Sequence, residues 1–525
     1  MATSSEYLTV PSLLESLVAR FKDKVAIREG ELSLSYIELS QEVNKAAKSF
    51  VQLGLTKGDK AAIWAPNISE WIIAALGLEV IGAVLVPLNT RMKGSEAADI
   101  INRSQSKVVL SVAEFQTGPE TTIKYFDMLE GQDLPAVIEK ISFKGEKSGV
   151  VNWQHFLQLG IDVSDDVVHE RMQSVSANDT MDMLFTSGTT GKPKGVMCAH
   201  EQNIRTVTAW ADINGLNEND NYLIINPFFH SFGYKAGWLA ALIKGATIYP
   251  VLIFDLDAVL QQIQDDKISM LPGPPTIYQS ILAHPDREKY DLSSLRLAVT
   301  GAAPVPVSLI DRMRNELNFE SVVTAYGLTE TCGFVSICRP DDPAEVISGS
   351  SGRAMDGIDI KCVDSDGLEV PRGEPGEIWV RGYNVMQGYF ENEQATQDTI
   401  TEDGWLKTGD IGVMDANGYI DITDRMKDMY ISGGFNVYPA EIENCLSAIE
   451  GIVQLAVIGV ADERMGEVGK VFCVKQSDAG LTEADVIGFA KQHLANYKVP
   501  RSVVFLDAMP MNASGKILKN ELREA

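Results

Sequence analysis

Apolar residues recur along this chain with two periods, and the periods alternate. Val25-Ala26-Ile27 and Ser33-Leu34-Ser35-Tyr36 predict a hairpin. Leu39, Val43, Ala46, Ala47, Phe50 and Leu53 then fall at helical spacing and predict a helix from Ile37 to Leu53. Lys60 to Trp64 reads as a strand, and an apolar helix from Glu70 leads to a second strand, Ala83-Val84-Leu85-Val86-Pro87. The stretch from Trp71 to Pro87 is the most apolar in the chain, but Gly77, Glu79 and Gly82 interrupt it, and it is too short to span a bilayer. Further strands are predicted at Val108 to Ser111, Tyr222 to Ile225 and Leu297 to Thr300. Alternation of this kind predicts an α/β body of parallel strands joined by crossover helices. From about Ile358 short strands and turns take over, which predicts a small mostly-β module. A second break falls at Asp424-Arg425-Met426-Lys427-Asp428. Beyond it a helix (Ala440 to Ser447), two strands (Val453 to Val460, Lys470 to Lys475) and a helix (Glu483 to Leu494) suffice for a small α+β domain.

Composition narrows the partners. The 525 residues allow two to four domains, and 45 Lys plus Arg against 72 Asp plus Glu give a net charge of −27. The 45% hydrophobic and 22% charged fractions exclude a disordered, collagen-like or coiled-coil chain. Nucleic acid and an anionic membrane are excluded as main partners, since both require positive potential. The six cysteines contain no Cys-x-x-Cys pair and read as reduced thiols. The first residues carry neither a basic region nor an apolar one, so the expected location is cytoplasmic.

One segment carries chemistry by itself. Thr186-Ser187-Gly188-Thr189-Thr190-Gly191-Lys192-Pro193-Lys194-Gly195 follows the apolar run Met183-Leu184-Phe185 and holds three glycines, two lysines and several hydroxyls. Backbone N–H groups beside glycine approach phosphate closely, hydroxyls donate to its oxygens and lysine neutralises it. The segment is not a Walker loop, because two residues separate Gly188 from Gly191 and Pro193 follows Lys192.

This decapeptide resembles the phosphate loop of the adenylate-forming superfamily, which includes acyl-CoA synthetases, luciferases and peptide-synthetase adenylation domains. Five further segments resemble that family's motifs in the same order. They are Tyr326-Gly327-Leu328-Thr329-Glu330 (adenine site), Thr408-Gly409-Asp410 (ribose), Asp424 to Asp428 (hinge), Gly433 to Glu443 (coenzyme A) and Pro510 to Lys516 (terminal lysine). The resemblance implies a reaction of carboxylate with ATP to acyl-adenylate and pyrophosphate, followed by coenzyme A thiol attack that releases AMP. It implies a large N-terminal domain, 1–424, of two α/β subdomains and a small β-barrel, a hinge at 425–427, and a mobile α+β lid, 428–525.

By the same resemblance, Thr186, Ser187, Gly188, Thr189, Thr190, Gly191, Lys192 and Lys194 hold the β- and γ-phosphates. Tyr326 stacks on adenine, with Gly301, Ala302, Ala303, Ala325 and Gly327 around the nucleotide. Thr329 donates to the α-phosphate, and Glu330 with Thr186 holds Mg²⁺. Asp410 and Arg425 bind ribose. Lys516 bridges carboxylate and α-phosphate, and Lys427 is the pivot that exchanges Lys516 for the coenzyme A segment Gly433-Gly434-Phe435. On the acyl side, Pro227 to Lys235 resembles the aromatic-histidine motif: His230 orients the carboxylate or gates the pantetheine tunnel. Tyr234, Lys235, Gly301, Gly327, Gly333 and Phe334 are expected around the acyl pocket. Lys235 is expected either at the rim, its stem on Tyr234, or against an anionic group of the acid or of coenzyme A.

Within the superfamily, Asp428 to Asn436 and Phe232-Gly233-Tyr234-Lys235 look closest to bacterial ligases of fatty-acid and sterol-ring catabolism, so the expected acid is medium-chain, alicyclic or aromatic. A ligase loading a carrier protein in trans is the main alternative. A catalytically dead ATP-binding protein is disfavoured because Glu330, Asp410, Arg425 and Lys516 are all present. The partners implied are the acid, ATP and coenzyme A, with a second copy of the chain as a candidate.

Overall fold

Side-chain caps and an apolar stripe explain the first helices. Thr9 caps Val10–Phe21 in a reciprocal box with Ser12, and Ser35 does the same for Tyr36–Gln52 with Glu38. The second helix buries Leu39, Val43, Ala46, Ala47 and Phe50 along one face. The next helix, Ser69–Val80, is apolar nearly all round and is accordingly buried on every side. The two helices approach closely at Gly77, where an added Cβ would lie 2.9 Å from the Ala46 Cβ.

The structure is a computed structural model that describes residues 7–118, 121–187, 193–301, 305–425, 430–437, 439–476, 480–510, 517 and 519–523. An eight-stranded sheet runs in the order Gly388–Tyr389, Pro193–Ala199, Thr180–Ser187, Val84–Pro87, Lys60–Trp64, Val108–Ser111, Glu139–Ser142 and Val151–Asn152. Its interior pairings are parallel, as the alternating pattern predicts, but the edge carrying Pro193–Ala199 is antiparallel. A second sheet joins Asn221–Ile224, Thr247–Pro250 and the hairpin Val25–Glu29/Leu32–Ser35. Single bridges through Met270 link it to Leu297–Thr300 and on to Ser321–Tyr326. The mostly-β module is an antiparallel sheet of Ile358–Val363, Pro375–Gly382, Leu406–Met414 and Ile420–Arg425.

The C-terminal part has its own sheet and core. Tyr430–Ser432 and Phe435–Val437 form a hairpin against Gly466–Lys475, which pairs with Ile452–Asp462 and Ser502–Phe505. Helices Pro439–Leu446 and Glu483–His493 cover it, burying Ile442, Leu446, Val486 and Ala490 with Val457 and Val471. The chain is thus a mixed α/β body with a smaller α+β domain. Among the described residues no helix is long and apolar enough to cross a membrane.

Candidate active site

A cavity of about 580 Å³ lies where these units meet. Its first wall comes from the antiparallel pair Thr180–Ser187/Pro193–Ala199, in which Thr186 and Lys194 are register partners. Both line the cavity. Gly188, Thr189, Thr190, Gly191 and Lys192 lie outside the described residues, as does the Ser187 side chain.

The second wall follows strand Ser321–Tyr326. Gly327 must be glycine, since a Cβ there would come within 2.1 Å of the Gly333 carbonyl oxygen. The chain then makes a short 3₁₀ turn, Thr329–Thr331, closed by the Thr331 hydroxyl accepting from the Leu328 N–H at 3.0 Å. Thr329 and Glu330 open on the cavity. Tyr389, from the outermost strand of the large sheet, donates its hydroxyl to Glu330 Oε1 at 2.9 Å, and the Lys194 ammonium stands 4.8 Å from the Tyr389 ring centroid. Tyr389 therefore joins strand Pro193–Ala199 to the Glu330 carboxylate. Ala325 is half-buried on the strand before the turn; Ala302 and Ala303 lie outside the described residues, and Gly301 ends the strand Leu297–Thr300 beside the Ala325 carbonyl oxygen.

The Tyr326 hydroxyl donates to Asp410 Oδ2 at 2.6 Å, and both line the cavity. Asp410 sits on strand Leu406–Met414, opposite Arg425 in the antiparallel register. The Arg425 side chain lies outside the described residues. So do Lys427 and Lys516.

His230 sits in a tight turn that only glycine at 233 permits: a Cβ there would lie 2.2 Å from the Pro227 carbonyl oxygen. Its Nδ1 accepts from the Phe232 N–H at 3.2 Å, which assigns the proton to Nε2. The ring lines the cavity and is exposed there. Desolvation by the protein packed around the turn lowers its pKa from the ordinary histidine value, so the imidazole is neutral at neutral pH.

The C-terminal domain supplies the last wall. Gly433 (φ 58°) and Gly434 (φ 82°) form a left-handed two-residue turn that the hairpin requires. The turn projects Phe435 into the cavity, 6.3 Å from the Phe229 ring centroid and 4.7 Å from that of Tyr497. The Arg91 guanidinium lies over its face at 4.2 Å. Asn89 donates to the Tyr497 hydroxyl at 2.9 Å, and Lys498 bridges Glu96 of the large domain (3.1 Å) to Glu441 of the small one (2.6 Å).

Five expected acyl-pocket residues do not line the cavity, and three of these, Tyr234, Lys235 and Phe334, are buried in the core. Tyr234 and Lys235 are fully buried; Tyr234 donates to Glu79 at 2.8 Å, and Lys235 pairs with Asp182 at 3.2 Å. Lys235 is thus neither at a rim nor facing a substrate anion, because the fold places a carboxylate beside it. Phe334 is buried against Trp210, ring centroids 5.3 Å apart, rather than open to the cavity. Gly333 and Gly301 do not line the cavity; Gly333 packs beside Ser231, which does. Sequence reasoning missed Tyr389, Asp182, Glu96 and Lys498, all of which act across long chain separations; the one local signal was a tyrosine after glycine, Gly388-Tyr389.

The profile of the AMP-binding enzyme family matches residues 14–390, and that of the AMP-binding enzyme C-terminal domain matches 441–516. The chain belongs to the AMP-binding enzymes. This AMP-binding enzyme is 47% identical over 519 residues, 98% of either chain, to the 3-[(3aS,4S,7aS)-7a-methyl-1,5-dioxo-octahydro-1H-inden-4-yl]propanoyl:CoA ligase of Rhodococcus jostii. It is 45% identical over 516 residues, again 98% of either chain, to the ligase of the same name from Mycobacterium tuberculosis. Its fold matches that of a double mutant of the o-succinylbenzoate CoA synthetase of Bacillus subtilis, bound with the product analogue OSB-NCoA, with a TM-score of 0.81, 29% identity and 98% coverage of either chain. The AMP-binding enzyme is an acid–thiol ligase that joins a carboxylic acid to coenzyme A through an acyl-adenylate at the expense of ATP.

Proposed function

We propose that the acid is an alicyclic propanoate carrying ring ketones, of the class for which the two relatives at 47% and 45% identity are named. The observation that carries the site assignment is that one cavity is lined by Asp410 and Tyr326, by Thr186 and Glu330, and by His230 and Phe435. Asp410, acceptor-only, and Arg425 bind the ribose hydroxyls, and Tyr326, its hydroxyl engaged by Asp410, offers its ring to adenine. Segment 186–194 cradles the outer phosphates and Thr329 donates to the α-phosphate. Two anions must meet here, so charge neutralisation and orientation carry the rate. The neutral His230 donates through Nε2–H and orients the carboxylate, without adding a charge that would compete with Lys516.

The oxygen donors fit Mg²⁺. Glu330 contributes a carboxylate and Thr186 a hydroxyl, and no cluster of three or more His, Cys, Asp or Glu among the described residues competes as an all-protein site. Mg²⁺ is commonly held by one or two carboxylates with substrate phosphates and water. When bound, the ion supplies neutralisation of phosphate charge. Residues 425–427 are the proposed hinge between domains 1–424 and 428–525, with Lys427 as pivot. Phe435 at the cavity fits the orientation that admits the thiol, and rotation at the hinge brings Lys516 in its place.

A panel of straight-chain, aromatic and ring-ketone propanoic acids, assayed with ATP, Mg²⁺ and coenzyme A, tests the reading. The ring-ketone propanoate is expected to give the highest kcat/KM. A higher value for a straight-chain acid rejects the substrate class, and acyl transfer to a carrier protein in preference to coenzyme A rejects the acceptor.

A further inference from the structure

The segments assigned to the chemistry converge beneath the cavity on one buried ion pair. Asp182 lies on strand Thr180–Ser187, four residues before Thr186. Lys235 lies five residues after His230. Their side chains meet at 3.2 Å, and both are 0% exposed. The second Asp182 oxygen accepts from Asn203 Nδ2 at 2.8 Å, from helix His200–Asn214. Beside the pair stand Cys198, whose thiol reaches the Thr329 carbonyl oxygen at 3.9 Å, and Cys332, two residues after Glu330. Burial opposes the Lys235 ammonium, but the adjacent Asp182 carboxylate holds its pKa above the ordinary lysine value. Burial drives the Glu79 carboxyl, hydrogen-bonded to Tyr234, well above the carboxylate range, so this carboxyl is neutral and the cluster is balanced.

The backbone just beyond Lys235 is kinked. Within Tyr234–Leu239, Gly237 departs from helical geometry (φ −84°, ψ −109°) and marks a kink between two short helical pieces. Tyr234 and Lys235, the first two residues of this segment, are tied to helix Ser69–Val80 through Glu79 and to the phosphate-loop strand through Asp182. A buried ion pair is weak evidence for stability, because desolvation offsets its attraction, and its best-attested use is to set registry.

We propose that Asp182 and Lys235 are positioning residues that set the spacing between the phosphate-loop strand and the His230 turn, and so the approach of the acid carboxylate to the α-phosphate. The inference rests on the adenylation reading of the cavity. Because spacing to the phosphate loop matters only while pyrophosphate is leaving, the pair governs adenylation and not thiol transfer.

The test compares D182N/K235M, K235M, K235R and D182E in thermal unfolding, acid-dependent ATP–pyrophosphate exchange, and thioester formation from supplied acyl-adenylate. The double variant removes both charges at nearly constant volume and is expected to unfold within about 5 °C of wild type. Its adenylation kcat is expected to fall by about 10- to 100-fold, the loss a misplacement of about 1 Å causes. Its KM values and its thioester rate are expected to stay within about threefold, and K235R to recover most of the adenylation lost in K235M. Wild-type adenylation in the double variant, equal losses in both half-reactions, or no recovery in K235R overturns the inference. If the double variant does not fold, D182E decides, since it keeps the charge and lengthens the arm: a stable protein with slowed adenylation supports the proposal, and an unchanged rate rejects it. Absence of exchange in the wild-type enzyme would reject the adenylation reading itself, a different failure.

Discussion

Phe435 of the C-terminal domain stacks on Phe229 of the large domain, with ring centroids 6.3 Å and planes 21° apart. Phe229 immediately precedes His230, so the stack places the Gly433-Gly434 turn against the His230 side of the cavity. Phe435→Ala removes that contact together with those to Tyr497 and Arg91. Aromatic pairs are worth about 0.5–1.5 kcal/mol beyond buried area. Thioester formation from supplied acyl-adenylate is expected to slow by at least about tenfold, with acid-dependent pyrophosphate exchange unchanged. Equal slowing of both half-reactions would show that the turn does not serve one step alone.

Glu96 offers a second handle on the same contact between domains. Lys498 holds Glu96 and Glu441 together at 3.1 and 2.6 Å, and its side chain is only 6% exposed, so solvent screens the pair weakly. Glu96→Gln leaves Lys498 its partner Glu441 and weakens only the link between domains. The thioester half-reaction is expected to fall by about three- to tenfold, with the unfolding midpoint little changed. An unaffected rate in stopped-flow measurements would remove Glu96 from domain closure.

Tyr389 touches Glu330 with its hydroxyl and Lys194 with its ring face. Tyr389→Phe keeps the ring and deletes one hydrogen bond to a carboxylate, a loss of about 1.5–3 kcal/mol. The expected result is a rise of about tenfold or more in the KM for Mg·ATP, measured by titrating both ATP and Mg²⁺. Unchanged values for both would mean that Glu330 is oriented without it.

Lys516 is reached by resemblance alone. Lys516→Ala is expected to abolish adenylate formation and leave thioester formation from supplied acyl-adenylate largely intact. Comparable loss in both steps would sink the assignment.

His200 makes the fold acid-sensitive. Its ring is 0% exposed, its Nδ1 accepts from the Val10 N–H at 3.3 Å, and its Nε2 has no partner among the described residues. Burial pulls its pKa down to about 4, with Asp179 opposing and Lys57 assisting. The unfolded chain therefore takes up a proton near pH 6.5 that the folded protein refuses until about pH 4. The contribution is fully present above pH 6.5 and is lost as pH falls through that window, up to about 3 kcal/mol by pH 4. In urea unfolding between pH 7 and 4.5, His200→Gln is expected to lose about 2–3 kcal/mol less than wild type. Parallel losses would mean that the His200 ring does not resist protonation.

Local order was legible in the chain. The helix that buries Leu39, Val43 and Phe50, the buried helix over Gly77 and Glu79, and the strands around them follow from backbone periods that a few consecutive residues define. The residue chemistry of 186–195 implied phosphate binding, and the resemblance of the ordered motifs from Thr186 to Lys516 to the adenylate-forming superfamily named the reaction. The fate of Lys235 was not legible. A lysine after Phe232-Gly233-Tyr234 reads as solvated, since burying an unpaired ammonium is prohibitive. Only the packing of helical segment Tyr234–Leu239 against strand Thr180–Ser187 brings Asp182, 53 residues away in sequence, to within 3.2 Å of it. Tyr389 reaching Glu330 and Phe435 reaching Phe229 belong to the same class. Period and composition are local properties of the chain, whereas the pairing of a buried charge or the seating of one domain on another depends on how distant segments pack.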